Sequence, residues 1–382
     1  MESLKPKKTE NESSINKAKN LNDPKISVIM AVYNGERFLR QTMESIISQS
    51  FTSFEVIAVD DASTDNTPYI LKEYALKDNR VKIYRNEKNM RLANSLNKAA
   101  ELAKGKYILR MDADDICLKD RFLKQYEYME KNPKTDLSFC KFFALTENGI
   151  IPSAVSRKCD EESIKAMFLF FCPVLHPGVI VKASFFKKYK YDFLHTCSED
   201  LDLWIRMLTD GAVFTCSGEY LLLYRMHKNS ITAKTKEKQK EEVLLSERIF
   251  YNHFLLGLPK EKEEFYINGV YFKDECNLKQ LYLFYKYIKK ANKKKKLFNK
   301  KAVITALAEV LAEYKRNFNL NIFKKLSFLR FGGIRLAAEF IQKKKRTCLD
   351  IEAAKAAAAK EKFKYKNNSG KLPIYYSEYG EN

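Results

Sequence analysis

Hydrophobic runs and helically spaced hydrophobic residues alternate along the first third of this chain. Residues 26–33 form a nearly unbroken apolar run, which is typical of a parallel strand covered on both faces. Over residues 36–50 the apolar residues recur at helical spacing, which indicates a crossover helix. The same patterns predict further strands at 54–60, 81–85 and 107–109 and helices at 68–77 and 92–103. Four alternations of strand and helix predict an α/β fold with a mainly parallel sheet and right-handed crossovers.

The pattern becomes less regular after the fourth predicted strand. An apolar strand is expected at 137–143, and two short strands are expected at 213–216 and 220–224. Between them, Glu199-Asp200 opens an amphipathic helix. Carboxylates are favoured at the positive end of a helix dipole, so a simple capping role for this pair stays open at this point.

A change in composition marks the C-terminal part of the chain. Residues 234–382 carry 34 Lys and Arg against 17 Asp and Glu, whereas residues 1–233 carry 35 against 31. Amphipathic or Ala-rich patterns predict helices at 278–288, 303–314, 322–341 and 353–360. The chain is therefore expected to divide into a disordered polar tail at 1–23, an α/β catalytic domain at 24–232 and a Lys-rich helical region at 233–382. Catalysis and binding to anionic surfaces would then be separated along the chain.

Composition also restricts the class and compartment of the protein. With 45% hydrophobic and 13% aromatic residues, the chain has enough material for a packed core. The eight cysteines include no C-x-x-C pair, which argues against a zinc ribbon and favours reduced thiols. The N-terminal segment lacks the apolar core of a secretory signal, and no apolar run reaches the roughly 18 to 20 residues that span a bilayer. We therefore expect a cytoplasmic protein whose membrane contacts, if it makes any, are peripheral.

An acidic motif, RMDADD at 110–115, follows the fourth predicted strand. Ligands bind at the carboxyl ends of strands in open α/β sheets. Three carboxylates within four residues repel one another unless a cation shares them, and their hard oxygens suit Mg²⁺ or Mn²⁺. A solvated acidic turn is the alternative, but the position after an apolar strand favours a metal site at Asp112 and Asp114.

Two other predicted strands also end in residues that could bind a ligand, Tyr33 and Asp61. Neither G-x-G-x-x-G nor G-x-x-x-x-G-K-[ST] occurs, so this Rossmann-like sheet lacks the dinucleotide and P-loop signatures. Aromatic and acidic strand ends suit a nucleoside with a metal-bridged diphosphate instead.

Six motifs together carry a family resemblance. They are SVIMAVYNG at 27–35, DDASTD at 60–65, RMDADD at 110–115, HP at 176–177, SED at 198–200 and YRMH at 224–227. In this order they resemble family 2 inverting glycosyltransferases of the GT-A fold, particularly bacterial enzymes that build surface polysaccharides. The resemblance covers residues 24–232. It implies transfer of a sugar from a nucleotide-diphosphate sugar, expected to be UDP-linked, to a hydroxyl of a growing glycan or lipid-linked acceptor.

The resemblance also implies roles for individual residues. The nucleotide sugar would be bound by Tyr33, Asp61, Arg110 and Asp112. A Mn²⁺ or Mg²⁺ ion would be held by Asp112, Asp114 and His227. Such a cation would stabilise the negative charge that develops on the departing diphosphate.

The general base implied by the resemblance is Asp200, with Glu199 as its acidic neighbour. The chemistry agrees, because an acceptor alcohol becomes nucleophilic only as it loses its proton, and a nearby carboxylate can take that proton. Two departures from the family pattern concern the choice of donor. Ala31 stands where some relatives carry a hydroxyl, and residues 89–91 lack the glycine that is common after the third strand.

Two other functions are alternatives to this one. A sugar-nucleotide-forming nucleotidyltransferase would need a basic, Gly-rich loop after the first strand, and residues 34–36 are too short and acidic for it. A non-catalytic binder of anionic polymers could use the basic C-terminal region. Acid-lined strand ends repel nucleic acid, so no nucleic-acid partner is expected.

The C-terminal region carries two competing predictions. Its apolar stripe at 278–288 is predicted to pack against other helices rather than face a membrane. Its Lys and Arg clusters are nevertheless expected to bring the protein to an anionic membrane surface at the cytoplasmic face of the inner membrane, with Tyr and Phe at the headgroup boundary. Packing on the catalytic domain, or formation of an oligomer, is the alternative.

Overall fold

The computed structural model describes residues 23–146, 149–152, 160–227, 235–271 and 278–317. The first elements alternate as β1 (Ile26–Val32), α1 (Glu36–Ile47), β2 (Phe54–Asp60), α2 (Thr67–Lys77), β3 (Val81–Arg85), α3 (Arg91–Leu102) and β4 (Tyr107–Arg110). The next are β5 (Ile116–Cys117), α4 (Arg121–Lys131), β6 (Leu137–Thr146), β7 (Gly149–Pro152), α5 (Glu161–Met167), β8 (Val179–Lys182), α6 (Ala183–Lys188), α7 (Glu199–Thr209) and β9 (Phe214–Arg225). The C-terminal elements are α8 (Lys236–Phe254), α9 (Lys260–Glu264), a π-helical turn (Phe265–Tyr271), α10 (Leu278–Lys295) and α11 (Lys300–Asn317).

The described strands form one sheet in the order β3-β2-β1-β4-β8-β6-β9-β5, with β7 paired to β6. The first four strands are parallel to one another, which confirms the predicted α/β sheet. The sheet then becomes mixed, because β8 runs antiparallel to both β4 and β6. Strands β1 and β2 are almost entirely buried, as expected for parallel strands covered on both faces.

A close backbone approach fixes the entry into β4. A Cβ atom at Gly105 would lie 2.5 Å from the backbone nitrogen of Ser27 in β1, so only glycine fits there. The N–H of Gly105 donates to the Ser27 hydroxyl at 2.8 Å. This contact sets β4 beside β1 and so sets where the acidic motif leaves the sheet.

The strand that runs into the YRMH motif differs from its prediction. Two short strands were expected at 213–216 and 220–224, but the chain forms the single strand β9. Gly218 takes a φ of 78°, and the register with β6 shifts near Lys141. This irregularity lets the strand continue through a segment that looks like a turn in the sequence.

The C-terminal helices continue the hydrophobic core of the sheet domain. The predicted stripe on α10 is buried at Leu281, Tyr285 and Ile288, so its prediction as helix-packing core is confirmed at these three positions. The expectation that its aromatic residues rest at a lipid headgroup boundary is wrong for Tyr285, because this ring packs inside the protein. Helix α11 packs against α5 of the sheet domain.

Some predictions fall outside the described residues. These are residues 1–22 of the polar tail predicted at 1–23, and the helices predicted at 322–341 and 353–360. Within the described part of the chain, no helix is both long and apolar enough to cross a membrane.

Candidate active site

The acidic motif leaves the sheet at the carboxyl end of β4 and brings three carboxylates together. One oxygen atom each from Asp112, Asp114 and Asp115 lies within 4.8 Å of the others. The hydroxyl of Thr42 on α1 donates to the carbonyl oxygens of Ala113 at 2.9 Å and Asp115 at 2.8 Å, which fixes the loop. Asp115 is absent from the predicted ligand set but lies with the two predicted ligands.

Asp115 is the most enclosed of the three carboxylates. Its Oδ1 accepts from the backbone N–H of Arg225 at 2.8 Å, while its buried Oδ2 has no hydrogen-bond partner among the described residues. Burial, followed by the charges of Asp112 and Asp114, raises the pKa of Asp115 well above its ordinary value. A divalent cation fits this donor set, because it would bind hard carboxylate oxygens and cancel their mutual repulsion.

His227 and Arg225 approach the acidic loop from the end of β9. Nε2 of His227 lies 2.8 Å from Oδ2 of Asp114, so the structure places this predicted ligand beside the acidic cluster. Arg225 donates through Nε to the carbonyl oxygen of Asp114 at 2.7 Å and through Nη2 to Gln41 at 2.7 Å. The ring of Phe38 packs against both, with its centroid 4.3 Å from the Arg225 guanidinium carbon and 5.4 Å from the His227 ring.

Two buried arginines lie behind the acidic loop. Arg110 is 2% exposed and forms an ion pair with Asp112, so it supports a predicted ligand from inside the protein. Arg121, the first residue of α4, is fully buried and donates to the carbonyl oxygens of Arg110 at 3.2 Å and Pro177 at 2.5 Å. It ties the acidic motif to the HP motif. Sequence reasoning missed Arg121, because a single arginine in an amphipathic helix looks like a solvated one.

The predicted nucleotide-binding residues Tyr33 and Asp61 lie at the ends of β1 and β2 in different environments. Tyr33 is 53% exposed and open to a ligand, whereas Asp61 is buried. The Asp61 carboxylate accepts hydrogen bonds of 2.7 to 3.0 Å from the side chains of Asn86 and Ser95 and from the backbone N–H groups of Met90 and Arg91. Asp61 thus organises the loop between β3 and α3.

The missing glycine at 89–91 has a structural consequence at Arg91. Its φ is 68°, in the left-handed region that favours glycine. For a residue with a side chain this conformation costs roughly 1 to 2 kcal/mol. The hydrogen bond from the Arg91 N–H to Asp61 Oδ2 at 2.9 Å helps to hold it.

Glu199 and Asp200 form a second acidic group in the first turn of α7. The N-cap position is Ser198, so neither carboxylate is the cap residue. Burial, followed by the charge of Asp200, raises the pKa of Glu199 to about 8. Burial also raises the pKa of Asp200. His176 of the HP motif lies beside the pair, with Nδ1 3.9 Å from Glu199 Oε1. A proton is therefore retained on this pair near neutral pH, and the pair is suited to proton transfer.

The charge of Arg110 connects the two acidic groups. Burial raises the pKa values of Asp112, Glu199 and Asp200, and the guanidinium of Arg110 opposes that rise in each. Both acidic groups therefore interact electrostatically with the buried guanidinium of Arg110. One acidic group that could hold a cation, near a second that could accept a proton, suits the transfer of a group from a diphosphate to an alcohol.

Comparison with known proteins agrees with this chemistry. The family model for glycosyl transferase family 2 matches residues 27–166. An uncharacterized glycosyltransferase of Methanocaldococcus jannaschii is 35% identical over 255 residues, which cover 66% of this chain and 85% of the relative. The chain belongs to glycosyl transferase family 2. As a family 2 member it is a nucleotide-sugar-dependent glycosyltransferase. The two alternative predictions, a nucleotidyltransferase and a non-catalytic binder, are therefore wrong as its main activity.

Two further similarities are to a named enzyme and to a solved structure. The Escherichia coli enzyme WfgD, named as a UDP-Glc:alpha-D-GlcNAc-diphosphoundecaprenol beta-1,3-glucosyltransferase, is 26% identical over 265 residues, covering 65% of this chain and 99% of WfgD. The crystal structure of S. aureus TarS 1-349 in complex with UDP-GlcNAc superposes with a TM-score of 0.53 at 19% identity, covering 76% of this chain and 89% of TarS 1-349. The second similarity shows the shared fold.

Proposed function

We propose that this chain transfers a sugar from a UDP-sugar to a hydroxyl of a lipid-linked or growing glycan acceptor during surface polysaccharide synthesis. The observation that carries the proposal is the pairing of two acidic groups around Arg110, one at the end of β4 and one at the start of α7. The donor and acceptor named for WfgD, and the UDP-GlcNAc bound to TarS, support the choice of a UDP-sugar and a lipid diphosphate acceptor.

On the donor side, the acidic loop would bind the diphosphate through a divalent cation. The residues that would hold this Mn²⁺ or Mg²⁺ ion are Asp112, Asp114, Asp115 and His227. When bound, the cation supplies charge neutralisation for the departing diphosphate. Tyr33, exposed at the end of β1, would stack on the base, and Asp61 would position the neighbouring loop for the nucleoside.

On the acceptor side, Asp200 would remove the proton of the attacking hydroxyl. Glu199, whose pKa is raised to about 8 by burial and by Asp200, would keep a proton and so leave Asp200 as the ionised partner. Attack from the face opposite the diphosphate, with no covalent sugar–protein step, would invert the anomeric centre.

The proposed place of action is the cytoplasmic face of the membrane. The lysines that follow the buried stripe of α10 are exposed, namely Lys289, Lys290, Lys293, Lys294, Lys295 and Lys296. Basic residues near an anionic lipid surface are each attracted by about 1 kcal/mol. Because the apolar face of α10 packs inward, this attraction would be electrostatic and would not need insertion into the bilayer.

A donor and acceptor screen tests the proposed function. The full chain would be incubated with Mn²⁺ and individual UDP-sugars, and UDP release would be measured with and without GlcNAc-diphosphoundecaprenol, the acceptor type named for WfgD. We expect one UDP-sugar to release UDP slowly alone and faster with a lipid diphosphate acceptor. The Asp200→Asn variant should lose transfer by a factor on the order of 10² to 10⁴. Failure of every UDP-sugar, with turnover of another nucleotide sugar, would contradict the proposed donor.

A further inference from the structure

A glutamate of the C-terminal helical region makes an unusually dense contact with the active-site domain. Glu242 on α8 accepts hydrogen bonds from three successive backbone N–H groups. The N···Oε2 distances are 3.0 Å from Thr196, 2.9 Å from Cys197 and 3.1 Å from Ser198. The Thr196 hydroxyl donates to Oε1 at 3.1 Å, and the Ser198 hydroxyl approaches Oε2 at 3.3 Å. One carboxylate thus binds all three of the residues that precede Glu199.

The environment keeps this carboxylate ionised. Glu242 is 9% exposed, and burial alone would raise its pKa, but the hydrogen bonds from Cys197, Thr196 and Ser198 together outweigh burial and lower it. Successive backbone N–H groups pointing at one anion form a concave anion site of the kind called a nest. Gln239, one turn earlier on α8, adds a hydrogen bond to the carbonyl oxygen of Cys197 at 3.2 Å.

The gathered segment leads directly into the acidic pair. Ser198 is the N-cap residue of α7, yet its side chain makes no capping hydrogen bond to the helix and turns toward Glu242 instead. The start of α7 is therefore fixed from outside, by α8, rather than by its own cap. Because Asp200 lies in the first turn of α7, the direction of its carboxylate depends on where this start is held.

We propose that Glu242 is a positioning residue for the general base, so that the C-terminal region completes the active site by orienting the Glu199-Asp200 turn. This inference rests on the proposed role of Asp200. It predicts that removing the Glu242 charge impairs the transfer step more than donor binding. A mere packing contact between α8 and the sheet domain would instead affect stability without a selective effect on transfer.

A double-mutant cycle tests the inference. Glu242→Gln keeps the side-chain shape but replaces an acceptor oxygen with an N–H₂ group that faces other donors. The matched control is Glu241→Gln, the same change at the exposed neighbouring position on α8. For each variant, kcat and the donor KM are measured with the UDP-sugar from the screen and GlcNAc-diphosphoundecaprenol, and UDP affinity is measured by calorimetry. We expect Glu242→Gln to lower kcat by roughly 10- to 10²-fold, with UDP affinity within about twofold, and Glu241→Gln to match the wild type.

The same change in the Asp200→Asn background separates the two levels of the proposal. If Glu242 acts through the base, Glu242→Gln causes no further loss once Asp200 is removed. An equal loss of kcat in both backgrounds, or an unchanged kcat in Glu242→Gln, overturns the positioning role and leaves the proposed function standing. Full transfer by Asp200→Asn overturns the base itself and the inference with it.

A milder variant keeps the test decisive if Glu242→Gln does not fold, as judged by circular dichroism and UDP binding. Thr196→Val removes only the hydroxyl donor to Glu242 Oε1 and retains the three N–H contacts. The loss of one such hydrogen bond corresponds to roughly 2- to 10-fold. A fall in kcat of that size, absent in the Asp200→Asn background, supports the inference, and an unchanged kcat overturns it.

Discussion

At the scale of single residues, Asp114 and Asp115 adjoin in sequence but have different surroundings. Asp114 is partly exposed and contacts His227, whereas Asp115 is buried and bonded to the backbone of Arg225. The exposed carboxylate is available to a ligand, and the buried one sets the electrostatic cost that a cation would relieve. Substitutions at the two positions should therefore fail in different ways.

For Asp114, we expect Asp114→Asn to retain the fold and to lose metal-supported donor turnover. The change keeps the shape but removes a negative charge from the cation site, so turnover should fall on the order of 10²-fold at saturating Mn²⁺ and require more metal. UDP release is measured against Mn²⁺ concentration after chelator treatment, with Asp23→Asn, an exposed aspartate, as the control. A normal Mn²⁺ titration of Asp114→Asn would remove this residue from the metal site.

The acidic pair on α7 gives a prediction for pH. Transfer needs Asp200 as a carboxylate, and burial raises its pKa, so kcat should rise with pH as Asp200 loses its proton. Glu199 keeps its proton near neutral pH because its pKa is raised to about 8, and Glu199→Gln imitates this neutral form. The acid limb of the kcat profile should therefore stay in place in Glu199→Gln and disappear in Asp200→Asn. The Glu241→Gln profile serves as the reference, and an acid limb that moves down by about one pH unit in Glu199→Gln would show that Glu199 is charged while Asp200 titrates.

Single-residue chemistry was predictable where it follows a strand end. Asp112, Asp114 and His227 lie together because parallel strands end at one edge of a sheet and β9 returns to that edge. The inward direction of Asp115 and the buried hydrogen bonds of Arg121 depend on tertiary packing that no spacing in the sequence encodes. The catalytic and binding roles of the candidate site residues stay predictions until the variants are measured.

At the scale of elements, helix α8 has a second buried glutamate, Glu247, facing the core. Its side chain is fully buried, and the hydroxyl of Tyr266 lies against its carboxylate. Burial raises the pKa of Glu247 well above its ordinary value. The folded protein therefore holds a proton that the unfolded chain releases above about pH 4.3. The contribution of Glu247 to the free energy of unfolding is fully present below that pH and is lost as pH rises toward its folded-state pKa.

We expect Glu247→Gln to stabilise the protein at pH 8 and to have little effect near pH 4.5. The amide imitates the protonated acid, so the cost of ionisation or proton uptake at high pH disappears, a gain of about 1 to 3 kcal/mol. Urea unfolding at the two pH values measures the difference, with the exposed Glu241→Gln as the reference on the same helix. A gain that is equal at both pH values would point to packing rather than to the proton.

The elements themselves were predictable to different extents. Strands β2 and β3 begin and end where the sequence predicts, because the period of hydrophobic residues is strong in a sheet buried on both faces. The continuous strand β9 was not, because Gly218 reads as a turn. The contact of α8 with the start of α7 was also invisible, since Glu242 looks like one more charge on a solvated face.

At the scale of the whole molecule, one hydrophobic cluster spans the sheet and the C-terminal helices. Phe168, after α5, lies 6.0 Å from Phe250 of α8 between ring centroids, and the Tyr251 hydroxyl donates to the carbonyl oxygen of Leu169 at 2.5 Å. The described C-terminal helices are thus packed on the sheet domain through their apolar faces. Their lysines are left on the outside, and Lys289, Lys290 and Lys293 to Lys296 at the end of α10 form an exposed basic surface.

That surface gives the prediction for the membrane. Replacing Lys289, Lys290, Lys293 and Lys294 with glutamine removes four exposed charges from one side of the last two turns of α10. At about 1 kcal/mol per lysine, affinity for vesicles rich in anionic lipid should fall on the order of 10²- to 10³-fold at low salt. Binding of the wild type should itself weaken at high salt. The apolar face of α10 is packed inward, so the remaining attraction is between exposed lysines and anionic lipid, and salt screens it. Sedimentation with anionic and neutral vesicles measures both effects.

The control variant carries glutamine at four exposed lysines of the sheet domain, Lys72, Lys88, Lys119 and Lys134. If both quadruple variants lose the same affinity, net charge rather than the α10 surface drives association, and if the wild type ignores anionic vesicles at low salt, the proposed membrane contact is wrong.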